Sequence, residues 1–159
     1  MNAFELKTGK HHFKHVMNYK DKPLAFRAIE YVNGSVLAVS IGSPARLYKL
    51  NSKSSSPRLV YEEIHENAFY DAMAFWNDNE GIAIGDPTED CMSIIITRDG
   101  GDSWVKLSCN DLPKTKDGEA AFAASDSNIA IVGSHTWIAT GGKASRIIYS
   151  SDKGNTWEA

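Results

Sequence analysis

Two stretches of the chain repeat one pattern: ITRDGGDSW, ending at Trp104, and YSSDKGNTW, ending at Trp157. Thr97, Asp99, Gly101, Ser103 and Trp104 align with Ser150, Asp152, Gly154, Thr156 and Trp157. Glycine tolerates the left-handed backbone of a tight hairpin turn. An aspartate side chain can accept hydrogen bonds from N–H groups inside its own loop. A tryptophan buries roughly 150–250 Å² and can pin the turn to the strands beneath it. A motif that recurs in this way points to folding residues, because catalytic residues rarely recur with each structural unit.

The segments upstream of each motif also match. GIAIGD before the first lies over NIAIVG before the second, and VLAVSIG fits the same slot further upstream. Ala38, Ala83 and Ala130 then mark one position at intervals of 45 and 47 residues. A period in the forties is the signature of a repeat architecture. Each repeat reads as short β segments. An aromatic-flanked first strand (26–31, 70–75, 121–125) precedes a polar turn. A small, β-branched second strand follows (36–41, 81–85, 128–133), then a third (46–50, 93–97, 146–150). A fourth strand follows in the first two repeats (58–62, 104–108), and no stretch sustains helical periodicity. Four short strands in about 45 residues make a β-propeller blade. The expected fold is therefore all-β: about three four-stranded antiparallel blades plus an N-terminal hairpin, forming a partial ring. The expected division is residues 1–20 as a hairpin of a preceding blade, then blades at 24–63, 68–109 and 119–159, the last lacking its outermost strand.

With 159 residues the chain can bury the core of a single domain. A net charge of −3 gives no basic footprint for nucleic acid. No apolar run approaches the roughly 18 residues of a membrane span. The N-terminal residues lack the apolar core of a signal peptide, so the expectation is a cytoplasmic protein, or a periplasmic or secreted one if the N-terminus is truncated. Cys91 and Cys109 are too few for a disulfide scaffold. Read as opposed residues on a hairpin centred near Gly100, they have Cβ atoms about 4.5–5.5 Å apart. That is longer than the disulfide mean of about 3.8 Å, so free thiols are expected, with a cross-strand disulfide as the alternative.

The motifs SSDKGNTW and TRDGGDSW resemble the Asp-box, or BNR, repeats of sialidases, sortilin-type propellers and photosystem II stability and assembly factors. FYDAMAFWNDNEGIAIGDP, GEAAFAAS and WIATGGKASRIIYSSDKGNTW are most similar to bacterial propellers related to the assembly factors. The resemblance runs from about Phe26 onward and implies a ring of six or seven blades. Against that count the chain reads as a slice of a propeller, and FELKTGKHHFKHV as the end of a preceding blade.

The chemistry is less marked. A sialidase-like hydrolase needs an arginine cluster and a tyrosine nucleophile; FRAI at residues 26–29 gives only a faint echo. An oxidoreductase needs a cofactor motif, and the chain has no Gly-x-Gly-x-x-Gly and no Cys-x-x-Cys. His11, His12 and His15 alternate faces along a strand and do not converge on a metal. No cofactor or metal is expected. A binding module fits best, because inner strands line a propeller's channel and loops at its mouth carry function. Arg27, Asp71 and Glu119 are the expected inner-strand residues, with Asp86, Trp137 and Arg146 close by in loops or strand starts. The expected function is a non-catalytic, assembly-factor-like scaffold for a protein or ligand. The expected partner is an unidentified protein or a second copy of the chain, whose N-terminal strand at residues 12–16 would complete the last blade.

Overall fold

A computed structural model describes residues 2–4, 8, 11–14, 16–51, 56–121 and 127–159, with backbone alone for 2–4 and 11–14. The chain opens with two hairpins, β1 (Asn2–Phe4) with β2 (His11–Lys14), and β3 (Asn18–Tyr19) with β4 (Lys22–Pro23). Blade one is the antiparallel meander β5 (Phe26–Val32), β6 (Ser35–Ser40), β7 (Ala45–Asn51) and β8 (Arg58–Glu63). Blade two repeats it as β9 (Tyr70–Phe75), β10 (Gly81–Gly85), β11 (Ser93–Thr97) and the two-residue β12 (Val105–Lys106). Next come β13 (Glu119–Ala120), β14 (Ile129–Val132), β15 (His135–Ala139), β16 (Gly141–Gly142) and β17 (Ile147–Ser150). Strands β14, β15 and β17 form the sheet of blade three, while β13 pairs with β16. No α-helix occurs among the described residues.

The first strands of the blades neighbour one another, β5 beside β9 and β9 beside β14. That is propeller geometry, with inner strands at the centre and the sheets stacked face to face. Side chains alternate between the faces of a strand. Leu37, Val39 and Leu47 of blade one meet Met73, Ala83, Ile95 and Trp104 of blade two in one core. The opposite face of blade two, with Ile82, Ile84, Ile94 and Ile96, meets Ile138 and Ile148 of blade three in the second. Both faces of β11 are covered, which explains its uninterrupted Ile94-Ile95-Ile96 run.

Two expectations change. IAI fits either of two neighbouring strands, and the motif register decides between them. Thr97 pairs with Gly81, and the aligned Ser150 pairs with Thr136. The second strand of blade three is therefore β15, and Ile129–Val132 is the first strand, beside β9. The expected first strand at 121–125 falls mostly on residues outside those described, as does His15.

Cys91 and Cys109 form a disulfide, with Cα atoms 5.4 Å apart, so the expectation of free thiols is overturned. The two are not cross-strand partners. Cys91 bridges Lys114 ahead of β11, and Cys109 opens a 3-10 turn, Cys109–Asp111, that folds the chain back after β12. Their Cα separation lies in the normal range for a bridge.

Candidate functional site

The two motif loops close in the same way. Asp99 Oδ1 accepts from the N–H groups of Asp102 and Ser103, both at 2.9 Å, and from the Thr97 hydroxyl at 2.8 Å. The Ser103 hydroxyl donates to Oδ2 at 2.6 Å, and the Gly101 N–H to Thr97 Oγ1 at 2.9 Å. Asp152 repeats this with Asn155, Thr156, Ser150 and Gly154. Partial burial works against ionisation of Asp99, but donors from Ser103, Thr97 and Asp102 outweigh it and hold its carboxyl at about 2. The Thr156 hydroxyl is the largest influence on Asp152 and brings it to about 2 as well. Each carboxylate serves its own loop.

Each loop also seats on the preceding blade. A Cβ on Gly101 (φ +84°) would lie 2.3 Å from Leu37 Cδ2, and one on Gly154 (φ +77°) 2.6 Å from Ile96 Cδ1. Lys49 reaches Asp102 at 3.0 Å, and Arg98 reaches the Lys153 carbonyl at 2.7 Å. Trp104 is buried and meets Phe75 edge-on at 5.9 Å. Trp157 donates through Nε1 to the Gly154 carbonyl at 3.1 Å.

At the N-terminal ends of the inner strands the polar groups are not satisfied in this way. The register of β5 against β6 passes from Phe26–Ser40 to Ala28–Val39, so Arg27 is an extra, bulged residue. The register of β9 against β10 passes from Tyr70–Gly85 to Ala72–Ile84, so Asp71 is its counterpart. Bulges of this kind re-aim a side chain. Asp71 is fully buried, and neither of its carboxylate oxygens has a hydrogen-bond partner. Arg27 Nε is also buried without a partner, and its guanidinium lies 5.7 Å from the Phe69 ring centre. Asp86 follows β10, and its Oδ1 accepts from the Ala121 N–H at 2.9 Å. Burial, and then the Asp86 charge, push the Asp71 carboxyl up to about 6, against a smaller opposing pull from Arg27. Burial raises Asp86 too. A groove of about 410 Å³ adjoins, lined by Gly42, Glu66, Phe69 and Asp86 among others.

The structure therefore brings Arg27, Asp71 and Asp86 together. It places Glu119 on β13, where it is buried and paired with Arg146 at 2.8 Å and with the Thr140 hydroxyl at 2.6 Å. Burial opposes ionisation of Glu119, but Arg146 and Thr140 prevail and lower its carboxyl pKa. Trp137 lies apart on the outward face of blade three, stacked on His135 and tilted against Tyr149. The arginines do not cluster: Arg46 pairs with Glu62, Arg58 with Asp102, Arg98 with Glu80 and Arg146 with Glu119. No group of three metal-ligating side chains forms among the described residues.

One network escaped the sequence reading. Glu63 Oε2 accepts from the Tyr70 hydroxyl at 2.7 Å and the Tyr61 hydroxyl at 3.0 Å, while Oε1 pairs with the Lys106 ammonium. Burial pushes both phenol pKa values up, so the tyrosines act as neutral donors. Tyr70 is fully buried. Polar residues interrupting the apolar strands β8, β9 and β12 were the available signal.

No protein-family model matches the chain, and no curated protein does. Among solved structures, one described as "YCF48 bound to D1 peptide" is similar to 86% of this chain, with a TM-score of 0.54 and 17% sequence identity. The chain spans 40% of the length of that neighbour. The likeness supports the β-propeller fold.

Proposed function

We propose that this chain is a non-catalytic propeller scaffold that binds a segment of another protein at the inner-strand ends between blades one and two. The observation that carries this reading is the pair of matching bulges, which bring unpartnered polar atoms of Arg27 and Asp71 to adjoining inner strands. Unsatisfied buried groups are costly and are retained where something else uses them. The neighbour's own peptide complex is in keeping with a peptide-binding role. The test is selection of random displayed peptides on the purified chain, followed by anisotropy titration of those enriched. Arg27→Ala and Asp71→Asn are expected to weaken binding about tenfold or more, with Trp137→Ala neutral. Enriched peptides indifferent to both substitutions would overturn the site. Turnover of a sialoside or another glycoside, lost in Arg27→Ala, would overturn the scaffold reading in favour of a hydrolase.

A second reading concerns self-association. Val132, Trp137 and Ile147 are 67%, 36% and 52% exposed. Their counterparts in blade two by motif register are Trp76, Ile82 and Ile94, which pack into the core shared with blade three. The blade-three face thus has the make-up of a sheet face that another blade covers, and a second copy of this chain would cover it. The strand exchange expected from the sequence is not needed at Tyr149, which already exchanges backbone hydrogen bonds with Glu158 at 2.8 and 2.9 Å. Sedimentation at micromolar concentration tests the reading: a dimer dispersed by Trp137→Glu is expected, and a monomer would refute it.

A further inference from the structure

We propose that Asp71 and Asp86 form a receiving site for a cationic side chain, a lysine ammonium or an arginine guanidinium, of the segment bound at the propeller centre. This rests on the binding role proposed above and names the chemistry of its recognition. A fully buried carboxylate with two unpartnered oxygens carries a desolvation cost that the charge of Arg27 offsets only in part. The cation nearest to hand, Arg27, rests on the Phe69 ring and makes no hydrogen bond to Asp71. Asp86 has one oxygen fixed by the Ala121 N–H, which orients the carboxylate without neutralising it.

The approach to the site carries the same sign. The groove beside Asp86 is lined by Gly42, Glu66, Asn67, Ala68, Phe69 and Pro87 as well, with no basic residue among them. Glu66 is exposed and adds a second carboxylate there. A side chain seated in the groove meets Asp86 there, and Asp71 lies buried at the same end of the inner strands as the second carboxylate proposed to receive it. Two carboxylates on one ammonium give charge-assisted hydrogen bonds and relieve the repulsion between the two aspartates. A divalent metal needs more ligands than this pair supplies, and among the described residues no three carboxylate, imidazole or thiol groups come together in a way that could hold one.

The charged groups facing Asp71 are Arg27 from β5 and Asp86 from the turn after β10. A bound cation adds to the pull of Arg27, so the Asp71 carboxyl titrates lower when the site is filled. Binding is therefore accompanied by proton release near pH 6 and weakens as the solution is made more acidic.

The test uses the full chain and three small probes: N-acetyl-lysinamide, N-acetyl-argininamide and the uncharged isostere N-acetyl-norleucinamide. Carbon-13 carboxyl NMR follows Asp71, and the Ala121 amide reports on Asp86. Either cationic probe is expected to lower the Asp71 midpoint and move the Ala121 resonance, and the norleucine probe to do neither. The stronger of the two cationic probes identifies the side chain. Asp71→Asn and, independently, Asp86→Asn are expected to weaken the active probe by on the order of tenfold, the share of one charge-assisted hydrogen bond. No response to either cation, or an equal response to norleucinamide, overturns the site. Magnesium reproducing the shift at lower concentration overturns it in favour of a metal. If selected peptides bind and respond to Arg27→Ala while neither cation acts, the cationic site fails and the scaffold stands. If the cations act but no peptide is selected, the scaffold fails and the site stands.

Discussion

Asp99 and Asp152 on one side, and Asp71 on the other, are the same residue put to opposite uses. In the motif loops each carboxylate is surrounded by hydroxyl and N–H donors from its own few residues and is held near 2. At the inner-strand bulge the carboxylate is deeper, has no donor, and is pushed up to about 6. The loop aspartates lower the free energy of the fold. The buried one raises it at neutral pH. That contrast separates residues that build the propeller from a residue kept for something outside it, and it can be tested by substitution.

The largest effect is expected at the loop tryptophans. Trp104 is 7% exposed and sits in the core between blades one and two. Trp104→Ala should destabilise by about 3–5 kcal/mol, as large aromatic truncations in cores do. Trp157 packs only partly into the second core, so Trp157→Ala should cost less. Denaturant titration of the two variants checks both the size and the order. An unchanged midpoint for Trp104→Ala would remove the structural reading of the loops.

A smaller loss is expected at Asp99. Asp99→Ala strands the Asp102 and Ser103 N–H groups and the Ser103 hydroxyl, although exposure lets water replace part of what is lost. About 1–3 kcal/mol is the expected range. Asp152→Ala should fall within the same range, because its donor set is the same. The folded-state pKa of each lies below the ordinary value, so each contributes stability above about pH 4 that is lost as pH falls toward 2. A pair of variants differing widely from each other would show that the two loops are not equivalent.

The propeller was legible in the sequence because its marker is local. Residues 97–104 contain the donors that surround the Asp99 carboxylate, so the motif could be read without knowing the fold. Arg27 and Asp71 could be matched as equivalent inner-strand positions for a related reason, since the repeat alignment superposed their strands, but the bulges that carry them show only in the strand pairing. Glu119 was matched to them by the same alignment, but the third repeat was in the wrong register. Small, β-branched residues satisfy a first and a second strand equally well, and only the pairing of Ser150 with Thr136 breaks the tie. The disulfide was illegible because it depends on the 3-10 turn at Cys109 and not on strand pairing. The network of Glu63, Tyr70 and Lys106 joins two blades, and no local pattern announces a contact between blades.

The smallest expected effect is also the one of opposite sign. Asp71→Asn keeps the shape of the side chain and removes its charge, so the variant should be more stable than the parent at neutral pH. The sign follows from linkage. The folded-state pKa of about 6 lies above the ordinary carboxylate value, so between the two the folded protein binds more protons than the unfolded chain. Stability therefore rises as pH falls from above 6 to about 4 and is constant below that range as far as this group is concerned. The asparagine variant lacks this rise. Its advantage should be about 1–2 kcal/mol at pH 7 to 8, after allowance for solvent screening, and should vanish near pH 4. In the parent the gain from Asp71 on acidification meets the loss from Asp99 and Asp152 at lower pH, and the substitution isolates the first from the second. Melting temperatures of the two proteins across pH 3 to 8 measure the difference directly. A gap that is flat with pH, or an asparagine variant weaker at pH 7, would mean that Asp71 is satisfied in the folded protein and that it belongs with Asp99 and Asp152.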